Sequence, residues 1–132
     1  MSGGWADGIV ANTLFVRDLA AAKEFYGRAF ETGPIFEDPN SVVFKLGPVI
    51  VNLLHESAVP ALVGPAVHAG PEAGVRLVFT VGVDDVDARV EALKAAGVGL
   101  LNGPVDRPWG PRTASFRDLD GYVWEIAGEP KS

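Results

Sequence analysis

Apolar positions along the chain change their period twice, in the same order. "IVANTLFV" (9–16) is β-branched and strand-like, and from Leu19 onward apolar residues return at Ala22, Tyr26 and Ala29, the spacing of one helical face. Asp18 stands just before them, placed to accept hydrogen bonds from the orphan N–H groups of a first turn. "SVVFKL" and "PVIVNLL" follow, separated only by Gly47, which signals a hairpin. After residue 75 the order recurs. "VRLVFTV" is strand-like, Asp85 caps, Val86, Val90, Leu93 and Ala96 form the stripe, and Gly97 is placed for a left-handed C-terminal cap. "GVGLLN", "RTASF" and "YVWEI" are then three strand candidates, the last two joined by the turn-forming "DLDG".

The two passages superpose. "VRDLAAAKEFYGRAF" (16–30) lies on "VDDVDARVEALKAAG" (83–97) at an offset of 67 (83 − 16), matching Val16 with Val83, Asp18 with Asp85, Ala21 with Ala88, Glu24 with Glu91 and Ala29 with Ala96. A strand, a helix and further strands used twice predict an α+β fold of two tandem βαβββ modules, with mixed curved sheets and helices on the outer face. Module 1 spans about residues 8–54 and module 2 about 75–128 of a single 132-residue domain. Residues 55–74, "HESAVPALVGPAVHAGPEAG", carry three prolines and several small-residue breaks, and are expected to be a linker without regular structure throughout.

One acidic side chain interrupts the last strand. Alternation in "YVWEI" puts Tyr122, Trp124 and Ile126 on one face and Val123 and Glu125 on the other. The bulky face belongs under a helix, so Glu125 is expected on the helix-free face.

Composition narrows the partners. The formal charge is −6 and no Lys/Arg cluster occurs, which removes the electrostatic footprint needed for nucleic acid or an anionic membrane. With no cysteine there is no disulfide framework and no thiolate chemistry. No apolar run reaches membrane-spanning length and no basic-then-apolar leader opens the chain, so a soluble cytoplasmic protein is expected.

The paired modules, with "FVRDLAAAKEFYGRAF" near the start and "FRDLDGYVWEI" near the end, resemble the glyoxalase/bleomycin-resistance/extradiol-dioxygenase superfamily, the vicinal oxygen chelate fold. The resemblance covers nearly the whole chain, and Leu119 departs from the usual proline of the "DPDG" turn. It implies a homodimer with cavities on the concave sheet faces, where the family's enzymes hold a divalent metal near the first and last strand of each module. Glu125 matches the last of these positions. The first falls on Ala11, or on Asn12 if the register slips; module 1's last strand offers Asn52; module 2's first strand offers Val78, or Arg76 if Gly82 and Val83 are an insertion. At best one good ligand survives, so neither metal nor another cofactor is expected. His55 and His68 read as loop or surface residues.

Glu125 has two readings: a cavity carboxylate that binds a ligand, or half of a buried ion pair with Arg76. "RPWGPRTASF" (107–116) carries a "WG" similar to that of family members which sequester antibiotics without metal. Trp109 is therefore expected to wall a cavity, or else to pack a loop, and Arg112 faces either ligand or solvent. The candidate ligand-binding residues are Asn52, Arg76, Trp109, Arg112 and Glu125. The expected function is metal-free binding of a small molecule, cationic or aromatic, of the bleomycin-resistance type. The alternatives are a lyase, epimerase or dioxygenase with an unorthodox ligand set, and a regulatory module with a vestigial cavity. The expected assembly is a homodimer, whether or not it exchanges modules, without nucleic-acid or membrane partners.

Overall fold

The computed structural model describes residues 4–131. Its elements run β1 (Ala11–Val16), α1 (Leu19–Phe30), β2 (Phe36–Asp38), β3 (Ser41–Leu46), β4 (Val49–His55), α2 (Val59–Val63), β5 (Val78–Gly82), α3 (Val86–Ala95), β6 (Leu100–Asp106), β7 (Arg112–Arg117) and β8 (Val123–Gly128). Single 3-10 turns at Glu56–Ala58 and Pro71–Ala73 flank α2 and the approach to β5. The chain divides after His68 into two compact units. Each holds one four-stranded mixed sheet, ordered β1-β4-β3-β2 in the first and β5-β8-β7-β6 in the second. In both, the first strand runs parallel to the last and the remaining pairs are antiparallel. This is the α+β arrangement of two βαβββ modules that the repeat predicts.

The repeated capping residues act alike. Asp18 accepts from the Ala21 N–H at 3.0 Å and Asp85 from the Ala88 N–H at 3.1 Å. Their backbones nearly coincide, with φ/ψ of −131°/100° and −133°/104°. Gly97 takes φ +84° beyond the end of α3, and the Val98 N–H reaches back to the Leu93 carbonyl, the left-handed closure expected there.

In the first unit α1 buries Ala22, Phe25, Tyr26 and Ala29. Tyr26 meets the Phe44 ring at 6.2 Å and stacks on Phe30 at 5.9 Å. The buried stripe is wider than the sequence suggests, taking in Phe25 and leaving Leu19 half-buried. In the second unit Val86, Val90 and Leu93 of α3 are buried, as are Ala114, Phe116, Trp124 and Ile126 of the sheet. A methyl built on Gly128 would lie 3.1 Å from Val86 Cγ2, so the even-numbered positions of β8 face α3. Trp124 and Ile126 share that face, and Glu125 projects from the other, as alternation requires.

Two strands escaped the sequence reading in whole or part. β2 is three exposed residues, too short for a hydrophobic period. It is fixed instead by Asp38, whose Oδ1 accepts from the Asn40 and Ser41 N–H groups at 2.8 Å and from Ser41 Oγ at 2.9 Å. The Asn40 N–H, then the Ser41 hydroxyl, hold that carboxyl below its ordinary range. β6 continues past Asn102 to Asp106 through two shifts of register against β7, which the Gly-Pro pair at 103–104 had hidden. Between the modules, α2 and the 3-10 turns are the only regular pieces among the described residues of 56–74.

Candidate functional site on the helix-free sheet faces

Each sheet turns one face to its helix, and the opposite faces carry the candidate residues. In the first unit Leu14 and Val16 are buried on the helix side and Asn12 pairs with buried Val51. The free face therefore carries Ala11 and Thr13 of β1 beside Ile50 and Asn52 of β4. This settles the register: Ala11, not Asn12, holds the first position. Asn52 pairs with Thr13 on one side and Val43 on the other, and its side-chain Oδ1 is buried without a hydrogen-bond partner among the described residues. Such an orphan acceptor costs about 1–3 kcal/mol unless a donor reaches it. His68 lies in a loop, as its place in the sequence suggests. Its ring meets Phe15 edge-on at 5.5 Å, and Phe15 shares the alternation of Ala11 and Thr13.

The second sheet repeats the plan with stronger chemistry. Thr80 pairs with Glu125 as Thr13 pairs with Asn52, and 80 − 13 is again the repeat offset of 67. The Thr80 hydroxyl donates to Glu125 Oε1 at 3.0 Å. Ser115 lies opposite Glu125 on β7, and Asn102 lies opposite Ser115 on β6, so one polar row crosses the sheet. Val78 occupies the free face of β5, opposite Val123. Arg76 precedes the strand and is exposed; it forms no ion pair with Glu125 among the described residues. The buried Arg76–Glu125 pair is thus replaced by a neutral partner, Thr80.

Arg112 is also reassigned. It shares the helix-side alternation of Ala114, and its guanidinium is consumed there: Nε and Nη2 donate to Asp87 Oδ1 at 3.1 and 3.0 Å, and Nη1 donates to Asp106 Oδ1 at 3.1 Å. Lys131 Nζ adds a contact to Asp87 Oδ2 at 3.3 Å. Arg112 therefore ties α3, β6 and β7 together and is not available to a ligand on the free face. Partial desolvation opposes ionisation of Asp87, but the hydrogen bonds and charges of Arg112 and Lys131 outweigh it and hold the carboxyl below its ordinary value of 3.8. A depressed carboxyl stabilises the fold fully above its unfolded-state pKa and loses that contribution as pH falls through the folded-state value. Thermal stability is therefore expected to drop as pH falls below about 4, and Asp87→Asn to flatten part of the drop. An identical acid profile in parent and variant would remove Asp87 from the account.

Sequence reasoning missed Arg107. Its Nε donates to Thr113 Oγ1 at 2.8 Å and its Nη2 to Asn102 Oδ1 at 2.9 Å. The guanidinium sits 5.6 Å from the centre of the Trp109 ring, and Trp109 is 71% exposed in the β6–β7 turn. Thr113 shares the alternation of Ser115, so Arg107 bends onto the free face. The signal was present in "RPWGPRTASF", where an arginine two residues before the tryptophan precedes a strand with hydroxyls at alternate positions.

The residues do not fit a divalent ion. The free faces offer Ala11, Asn52, Val78 and Glu125 at the four positions, a single carboxylate where hard or borderline ions need several anionic or imidazole donors. No group of three or more His, Asp or Glu side chains able to hold a metal occurs among the described residues. No helix among them is long and apolar enough to cross a membrane.

Solved structures share the architecture. A glyoxalase-related enzyme from Fulvimarina pelagi is 27% identical, with a TM-score of 0.80 over 95% of this chain and 90% of that one. A glyoxalase/bleomycin resistance protein/dioxygenase from Nocardioides is 25% identical, with a TM-score of 0.82 over 96% and 86%. A lactoylglutathione lyase from Agrobacterium tumefaciens, at 24% identity and a TM-score of 0.72 over 95% and 96%, shares the fold. No curated protein matches the chain. The family model for the glyoxalase/bleomycin resistance protein/dioxygenase superfamily matches residues 8–126, and the chain belongs to that superfamily.

Proposed function

We propose that this chain binds a small molecule without metal, in the manner of antibiotic sequestration by bleomycin-resistance proteins, and that its ligand carries a cationic or N–H donor group. The observation that carries this reading is Glu125: a half-buried carboxylate on the helix-free face, hydrogen-bonded by Thr80 and without a cationic partner among the described residues. The orphan acceptor of Asn52 supports it from the first sheet. A donor brought by a ligand would satisfy either group, and a charge-assisted bond to Glu125 is worth about 1.5–3 kcal/mol. The reading is tested by ligand-induced stabilisation across a panel of cationic and aromatic drugs. Glu125→Gln is expected to leave unfolding stability within about 0.5 kcal/mol while weakening any cationic ligand found. A panel without a single binder would sink the proposal.

The competing reading is a lyase, epimerase or dioxygenase, favoured by kinship with the Fulvimarina enzyme. It uses Glu125 either within an unorthodox set of metal ligands or as a general base without metal. The donor set leads us to expect protein purified without chelator to contain no stoichiometric divalent ion and to melt unchanged in EDTA. One tightly held nickel, zinc or iron per chain by elemental analysis would return the enzyme reading to first place.

The same proposal places the chain in the cytoplasm as a C2 homodimer. Val75, Leu77 and Val78 are each at least half exposed, at 53%, 55% and 50%, an apolar run that a second copy would cover. Sedimentation at micromolar concentration checks this, and a monomer there counts against it.

A further inference from the structure

Two opposite charges stand on the helix-free face of the second sheet without meeting. Thr80, Glu125, Ser115 and Asn102 are successive cross-strand partners. Glu125 is oriented by Thr80, and Asn102 accepts from Arg107, which also grips Thr113. Glu125 and Asn102 lie two strand spacings apart, about 9–10 Å between backbones. Arg107 and Glu125 form no ion pair with one another, and no described residue bonds Arg107 Nη1 or Glu125 Oε2. Each charge has thus used part of its hydrogen-bonding capacity on neutral neighbours that fix its direction, and retains one group unbonded among the described residues. A hairpin staple alone explains the two bonds Arg107 makes. It does not explain why an indole that is 71% exposed lies against the guanidinium, where cation–π contact steadies the fork's plane.

We infer that this face recognises a zwitterion: a small molecule with a cationic nitrogen for Glu125 and a carboxylate for Arg107, joined by a planar apolar spacer lying across Ser115 beside Trp109. The inference rests on the small-molecule-binding reading above and specifies its ligand class. An arginine whose plane is fixed suits a carboxylate better than a mobile cation would, because the fork is already oriented. The carboxylate oxygens of Glu125 suit an ammonium in the same way.

The test compares para-aminomethylbenzoate, which carries both charges on a rigid ring, with benzylamine and benzoate, which carry one each. Amide shifts of isotope-labelled protein in β6, β7 and β8 report binding. The zwitterion is expected to bind at least about tenfold tighter than either control. Arg107→Gln is expected to reduce it to the level that benzylamine reaches with the same variant, and amide shifts unchanged in α1 and in β1, β3 and β4 show that the variant has folded. Arg107→Lys, which keeps the charge but not the fork, is expected to retain part of the advantage. A zwitterion no tighter than benzylamine, or an advantage that survives Arg107→Gln, overturns the inference; benzylamine binding that depends on Glu125 would then leave the broader reading standing. No binding by any of the three probes overturns the inference too, and the drug panel judges the broader reading independently.

Discussion

Gly103→Ala is expected to destabilise the protein by about 2–5 kcal/mol, from a left-handed backbone penalty of about 1–2 and an overpacking cost of about 1–3. Gly103 holds φ +86°, and a methyl built on it would stand 2.5 Å from the Thr113 carbonyl oxygen and 2.7 Å from Ala114 Cα. Both obstacles are backbone, so no side-chain rotation relieves them. The residue sits where the β6–β7 register shifts between Asn102 and Val105, next to Asn102, which accepts from Arg107. Forcing the strands apart should therefore loosen the polar row as well as the hairpin. Gly99→Ala is the control, since a methyl there meets nothing within 4 Å and should be neutral or slightly stabilising. Denaturant unfolding of the two variants checks the contrast. A loss under about 1 kcal/mol for Gly103→Ala would show that β6 can yield without cost.

Trp124→Ala is expected to cost about 3–5 kcal/mol, the range for deleting a buried aromatic. Trp124 is 3% exposed and its ring lies 4.9 Å from that of Phe79, so its removal opens a cavity beneath α3 that the surrounding strands fill only in part. Its neighbour Glu125 points the other way, and Glu125→Gln should hardly move the unfolding midpoint. Two adjacent substitutions on one strand thus separate a packing face from a binding face. Equal losses from both would mean that the faces are not distinct.

Local signals explain why so much of the fold could be read without coordinates. Asp18 and Asp85 announce helix starts because their side chains satisfy N–H groups a few residues away, and Gly97 ends α3 because its φ of +84° suits no other residue as well. The facing of Glu125 follows from a period of two that tertiary context does not alter. β2 was invisible because it has no buried face, and the part of β6 beyond Asn102 because its register shifts break the alternation.

The site divides along the same line. In the sequence, strand alternation set the facing of Glu125, the family resemblance pointed to Asn52, and only one good metal ligand stood among the four positions, because a side chain's identity limits what it can donate. The partners of those residues were decided by tertiary structure. Thr80 rather than Arg76 bonds Glu125, 45 residues distant in sequence. Arg112 went to Asp87 and Asp106, and Arg107 came onto the free face in its place. Helix caps and strand faces depend on neighbours within a few residues, which the chain itself specifies. Which carboxylate an arginine reaches depends on strand register and on a side chain several bonds long, and both are set only when the sheet closes.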